Sequence, residues 1–220
     1  MTKSGVPWAD YRWNCVEGCS PVSESCLNCY AKTFAHRFHR HWGSPIFHED
    51  RLEQPLHTKR PGRVFVCSTS DFFHEKCEPI WQDRMGLIMA KAHRHVFILL
   101  TKRPHLIQPW LDRMIDDGLW PLTNVWIGVT AENQERLQER WPILYRTHAA
   151  VKFVSIEPML TPVTFSAWSP CDLPDLVICG PENGRGKRPF EDEWLESLAH
   201  ECACFFDKRK IWRRREFPKG

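Results

Sequence analysis

Cys19, Cys26 and Cys29 stand near the start of the chain, with six and then two residues between them, in the run Gly18-Cys-Ser-Pro-Val-Ser-Glu-Ser-Cys-Leu-Asn-Cys-Tyr-Ala31. Thiolates so spaced, in a loop containing Gly18, Pro21 and serines, can wrap a metal without helical constraint, and zinc and iron-sulfur chemistry both fit. The fourth ligand separates the two. A structural zinc site closes with four protein ligands, and Cys15, His36 or His39 would have to supply the last. A [4Fe-4S] cluster on three thiolates instead keeps one iron open for a small molecule. Residue types and spacing alone leave open whether Cys15 joins the three.

The elements that must position such a loop follow from hydrophobic patterning. Six short apolar runs read as strands: Val64–Cys67, Val96–Leu100, Val125–Val129, Lys152–Ile156, Leu176–Cys179 and Cys204–Phe206, with a further short one at Tyr11–Asn14. Near-continuous apolar character suits parallel strands covered on both faces. Helical periodicity follows the cysteines, with Tyr30, Ala31, Phe34, Ala35, Phe38 and Trp42 on one stripe. Tyr30 and Phe34 either pack on the metal site or belong to that core stripe. Further helices are predicted over 79–93, 104–117, 132–146 (interrupted by Pro142) and 191–202. Strand-helix alternation with short connections predicts an α/β fold, a partial (β/α) barrel of about six to seven mainly parallel strands.

In such an architecture ligands gather at the carboxyl ends of the strands. Those ends are polar here: Ser68, Ser70 and Asp71 after Val64–Cys67, Lys102 and Arg103 after Val96–Leu100, then Glu132 and Asn133, Glu157, and Glu182. Their recurrence at one topological position points to a shared pocket, although Ser, Asp and Asn also serve as helix caps and turn residues. Lys102 and Arg103 suit a phosphate or carboxylate on a substrate.

A chain of 220 residues and 26.0 kDa fits one compact domain, read as 1–207, followed by a basic aromatic tail over 208–220. Its net charge of +3 does not by itself demand a nucleic-acid partner. The tail, Lys208-Arg-Lys-Ile-Trp-Arg-Arg-Arg-Glu-Phe217, interleaves cations with Trp212 as a base-stacking, phosphate-tracking surface would, or as a solubilising terminus would. No signal-peptide pattern and no membrane-length apolar stretch stand out, so a cytoplasmic protein is expected. The remaining cysteines, among them Cys67, Cys179, Cys202 and Cys204 in apolar runs, read as core thiols.

The blocks Trp13-Asn-Cys15, Gly18 to Ala31, Val64 to Glu75, Leu100 to Pro104, Asn124 to Asn133, Ser155 to Pro158 and Val177 to Gly184 resemble, in order, the phage Gp37/Gp68 family, a radical-SAM-like group also called DUF5131. Cys15 stands where the family pattern has proline, and since three thiolates complete the implied site it is expected to stay off the metal, as a buried free thiol. The resemblance implies a [4Fe-4S] cluster on Cys19, Cys26 and Cys29, with S-adenosyl-L-methionine chelating the fourth iron. One electron from a flavodoxin- or ferredoxin-type donor would then cleave it to methionine and a 5′-deoxyadenosyl radical that abstracts hydrogen. Barrel geometry and the resemblance place Ser68, Ser70 and Asp71 at the amino group or ribose; Tyr30 is a candidate to pack on the cluster or adenine, and Glu132, Asn133, Glu157 and Glu182 are candidates, from their position in the architecture, for ribose, methionine or substrate contacts. Phage relatives imply DNA hypermodification, an isomerase rearranging an amino-acid adduct on a thymidine that must be flipped out of the stack. Two alternatives stay open: a radical SAM reaction on a nucleotide, peptide or small metabolite, and a non-enzymatic zinc or iron-sulfur nucleic-acid-binding module.

Overall fold

The structure is a computed structural model that describes residues 1–183, 186–205 and 211–213. Its strands and helices run β1 (Thr2–Lys3), β2 (Tyr11–Trp13), β3 (Val16–Glu17), α1 (Tyr30–Arg37), β4 (Ile46–Phe47), α2 (Gln54–His57), β5 (Arg63–Val66), α3 (Pro79–Lys91), β6 (Val96–Thr101), α4 (Ile107–Asp116), β7 (Val125–Thr130), α5 (Gln134–Tyr145), β8 (Val151–Ile156), β9 (Leu176–Cys179), α6 (Asp192–Phe205) and β10 (Ile211–Arg213). Eight strands form one sheet in the order β1-β2-β5-β6-β7-β8-β9-β10. All neighbours from β2 onward pair in parallel, and β1 joins β2 antiparallel. The result is an open, mostly parallel α/β sheet flanked by helices, with β1 and β10 at its edges.

From β2 onward each strand of this sheet lies beside the previous one, so the chain winds one way without reversing. Right-handed crossovers that advance in one direction put their helices on one face. Alternate side chains accordingly divide into two cores. Val64, Val66, Phe97, Leu99, Val125, Ile127, Val129, Val154 and Val177 share the large core with α3, α4 and α5, whereas Phe65, Ile98, Phe153 and Ile178 form a smaller one with Trp8 and Ala9. Gly128 belongs to the smaller side, where a Cβ would lie 2.3 Å from the Phe153 ring. Only a missing side chain admits that ring.

One expected strand is corrected. Cys204 and Phe205 lie in α6, which continues the Trp194, Leu195, Leu198 periodicity through Cys202 beyond the predicted end at 202. A short apolar run carries no period of its own and takes that of the helix leading into it. Residues 211–213, read as tail, instead add β10 to the sheet beside β9. Pro142 does not interrupt α5, because buried Leu137, Trp141 and Leu144 hold both sides of it against the core. The small β3–β4 pair, two residues a strand, was too short to show a pattern.

Candidate functional site

The cysteine loop begins at Gly18, whose φ of +96° is one that L side chains rarely adopt. A Cβ there would also meet the Ser44 and Gly43 carbonyl oxygens at 2.8 and 2.9 Å. From that point the loop crosses the carboxyl ends of the strands. Gly18 bridges to Ser70 in the turn after β5, and the Ser70 hydroxyl donates to its carbonyl at 2.5 Å. Asn14, at the end of β2, accepts from the Ser68 amide and hydroxyl at 2.7 and 3.1 Å. Asn14, Ser68 and Ser70 thereby lock the ends of β2 and β5 to each other and to the loop.

Cys19, Cys26 and Cys29, all partly exposed, line one cavity of about 140 Å³ together with Tyr30, Ser68, Ser70, Asp71, Lys102, Arg103 and Glu157. A second cavity of about 400 Å³ shares Cys29, Tyr30, Phe65, Leu100, Lys102 and Glu157 with it, and adds Trp8, Ser155 and Glu182. The two adjoin and open one continuous cleft within the size range of small-molecule sites. Cys15 is elsewhere: it is 0% exposed in the large core, and burial pushes its thiol up to about 12. His36 lies on a separate groove along α1, and neither it nor His39 lines the cysteine cavity. Among the described residues, no three His, Cys, Asp or Glu side chains converge as ligands of a single ion would.

Three polar clamps hold the loop. At Cys19, the buried Arg103 guanidinium donates to Asp71 (3.1 Å), Glu75 (2.7 Å), and the Ser20 carbonyl and hydroxyl (both 3.0 Å). Its Nη1 also lies 3.8 Å from Cys19 Sγ. Burial and the Asp71 carboxylate push the Cys19 thiol up to about 11, against the pull of Arg103. At Cys26, the preceding Ser25 donates its hydroxyl to Glu132 at 3.1 Å, and Arg140 donates to the same carboxylate at 2.9 Å. Burial alone would raise the Glu132 carboxyl, but the Arg140 guanidinium and donated hydrogen bonds hold it below its ordinary range. At Cys29, Asn28 donates to Glu182 at 3.0 Å, and Glu182 is gripped in turn by Arg188. Those bonds, against burial, bring the Glu182 carboxyl down to about 2.

The candidates read from the sequence thus separate. Tyr30, Ser68, Ser70, Asp71, Lys102, Arg103, Glu157 and Glu182 all line the cleft. Within it, Asp71 is fully engaged by Thr101, Lys102 and Arg103, and the Tyr30 hydroxyl donates to the Ser68 carbonyl. Lys102 Nζ makes no hydrogen bond or ion pair among the described residues, so of the neighbouring pair Arg103 is structural in its contacts and Lys102 faces the cavities. Glu132 and Asn133 stand behind the cleft: Glu132 is 0% exposed, and Asn133 caps α5 by accepting from the Arg136 amide at 2.9 Å. The Trp212 side chain and tail residues 208–210 and 214–220 lie outside the described residues. Ser20, Ser25, Asn28, Arg140 and Arg188 carry no local signal, because their importance comes from partners distant in the chain. Val6, Pro7 and Trp8, equally unmarked in the sequence, wall the larger cavity.

A family model described as a protein of unknown function, DUF5131, matches residues 3–210. The chain belongs to this family. The matched span of this DUF5131 member takes in the cysteine loop, all three clamps and the sheet through β9. No curated protein and no solved structure matches the chain. No helix of the described residues is long and apolar enough to cross a membrane.

Proposed function

We propose that this DUF5131 member is a radical SAM enzyme, built on a partial barrel. Cys19, Cys26 and Cys29 would hold a [4Fe-4S] cluster, and S-adenosyl-L-methionine would lie in the adjoining cavity. One observation carries the reading: three partly exposed thiols share a single cleft at the carboxyl ends of parallel strands, while Cys15, the thiol next to them in sequence, is sealed in the core. Closed zinc sites need four ligands, and neither Cys15 nor a histidine lines that cleft. Cubane thiolates bind different irons and stay apart, so a loop for them need not converge on one point as a single-ion site does. The one-way winding of the sheet, with its main core on one face, supports the barrel-like form.

With the cluster bound, the chemistry supplied is reductive cleavage of S-adenosyl-L-methionine and hydrogen abstraction from a substrate carbon. The chain's own residues bind and enclose. Where the two cavities meet, Lys102 presents an ammonium that makes no hydrogen bond or ion pair among the described residues, suited to a carboxylate or phosphate. It complements a carboxylate such as the one shared by S-adenosyl-L-methionine and an amino-acid adduct. Trp8, Phe65, Leu100 and Pro158 supply apolar walls that exclude water. The substrate we favour is an amino-acid-modified thymidine in DNA, rearranged in an isomerase reaction.

Anaerobic reconstitution with iron and sulfide tests the metal assignment. A [4Fe-4S] site should take up about four irons per chain and show a thiolate-to-iron absorption band, both lost when Cys19, Cys26 or Cys29 becomes alanine. One tightly held zinc per chain, or iron binding indifferent to these substitutions, would defeat it.

A further inference from the structure

The three cysteines of the cleft are not held alike. Cys19 Sγ alone among them, within the described residues, lies against a cation, Arg103 Nη1 at 3.8 Å. Arg103 is 1% exposed, and its remaining donors are committed to Asp71, Glu75 and both oxygens of Ser20, the residue next to Cys19. A planar fork thus grips the sulfur and the adjoining backbone at once, which the single ammonium of lysine cannot do. The Asp71 carboxylate is held in turn by Thr101 Oγ1 at 2.9 Å and the Lys102 amide at 3.2 Å, so the guanidinium has no slack. Such engagement leaves Arg103 nothing to offer a substrate.

Resting on the reading of Cys19, Cys26 and Cys29 as cluster ligands, we propose that Arg103 is a positioning residue that presents Cys19 and raises the reduction potential of the group bound there. Reduction adds one negative charge to a thiolate-held cluster. A buried cation and an N–H aimed at one sulfur favour that more negative state. Asp71 shares Nη1 with the sulfur and Glu75 sits on Nε, so the two counter-charges reduce the effect, and the variants are compared with Asp71 already neutral so that the guanidinium's own contribution is read.

The experiment uses the full chain, reconstituted anaerobically, with midpoint potentials read by redox titration followed by electron paramagnetic resonance. Removing Arg103 alone would strand the Asp71 carboxylate in the interior. The informative comparison is therefore Asp71→Asn against Asp71→Asn with Arg103→Gln, alongside Arg103→Lys. Arg103→Gln in the Asp71→Asn background is expected to make reduction about tenfold less favourable, a fall of about 59 mV for a one-electron couple. Arg103→Lys should give a smaller fall in the same direction. Cluster loading at unchanged potentials in these variants would overturn the role of Arg103 and leave the cluster assignment standing. If the double variant does not fold, the potential of Arg103→Lys decides. Wild-type protein that takes up no cluster would overturn the cluster reading itself, and this inference with it.

Discussion

Glu132 is where the structure makes its sharpest energetic statement. Its carboxylate is 0% exposed, 2.9 Å from Arg140 Nη1, and accepts the Ser25 hydroxyl at 3.1 Å and the Ser25 amide at 3.4 Å. In Glu132→Ala the Arg140 guanidinium, itself buried, keeps only the Thr130 carbonyl at 2.7 Å, and its Nε already lacks a partner. Removing one member of a buried pair costs about 3–5 kcal/mol, because the other charge is left unsolvated. For a chain of this size each kcal/mol lowers Tm by about 2–4 °C, so a fall of about 6–20 °C is expected. Thermal unfolding of the metal-free chain followed by circular dichroism at neutral pH measures it. Glu132→Gln keeps an acceptor for Ser25 and should lose less. A Glu132→Ala protein melting within about 2 °C of the wild type would refute the clamp, and with it the claim that the Cys26 side of the loop is built before any metal arrives.

Cys15→Ala should leave iron uptake unchanged while costing about 1 kcal/mol in urea denaturation, the effect of trimming a core side chain; loss of metal would make Cys15 a ligand. The Glu182 clamp gives a pH dependence. Its folded carboxyl is brought down to about 2, below the unfolded value of about 4.3, so its stabilisation is complete above that unfolded value and is lost as pH falls toward 2. Urea denaturation midpoints between pH 5 and 2.5 should therefore fall less steeply in Glu182→Gln than in the wild type, and parallel slopes would contradict the assignment.

Strands such as Val125–Thr130 and Val151–Ile156 were legible because parallel strands buried on both faces write their hydrophobicity continuously into the chain. The polar residues after them were legible as a class, because topology alone carries strand ends to one side. Their individual roles were not. Lys102 and Arg103 are neighbours of like charge, yet one faces the cavities and the other is buried against Ser20, 83 residues away. Glu132 reads like Glu157 from local pattern, and only the approach of Ser25, 107 residues distant, turns it inward. Cys204 and Phe205 failed for the opposite reason, since the local pattern was too short to decide between helix and strand.

The most direct test of the central claim is chemical. The reconstituted chain is reduced anaerobically with S-adenosyl-L-methionine present, and the mixture is searched for 5′-deoxyadenosine, with Cys26→Ala as the control. The wild type should yield 5′-deoxyadenosine and the variant none. A fully loaded, fully reduced cluster that leaves S-adenosyl-L-methionine intact would contradict it.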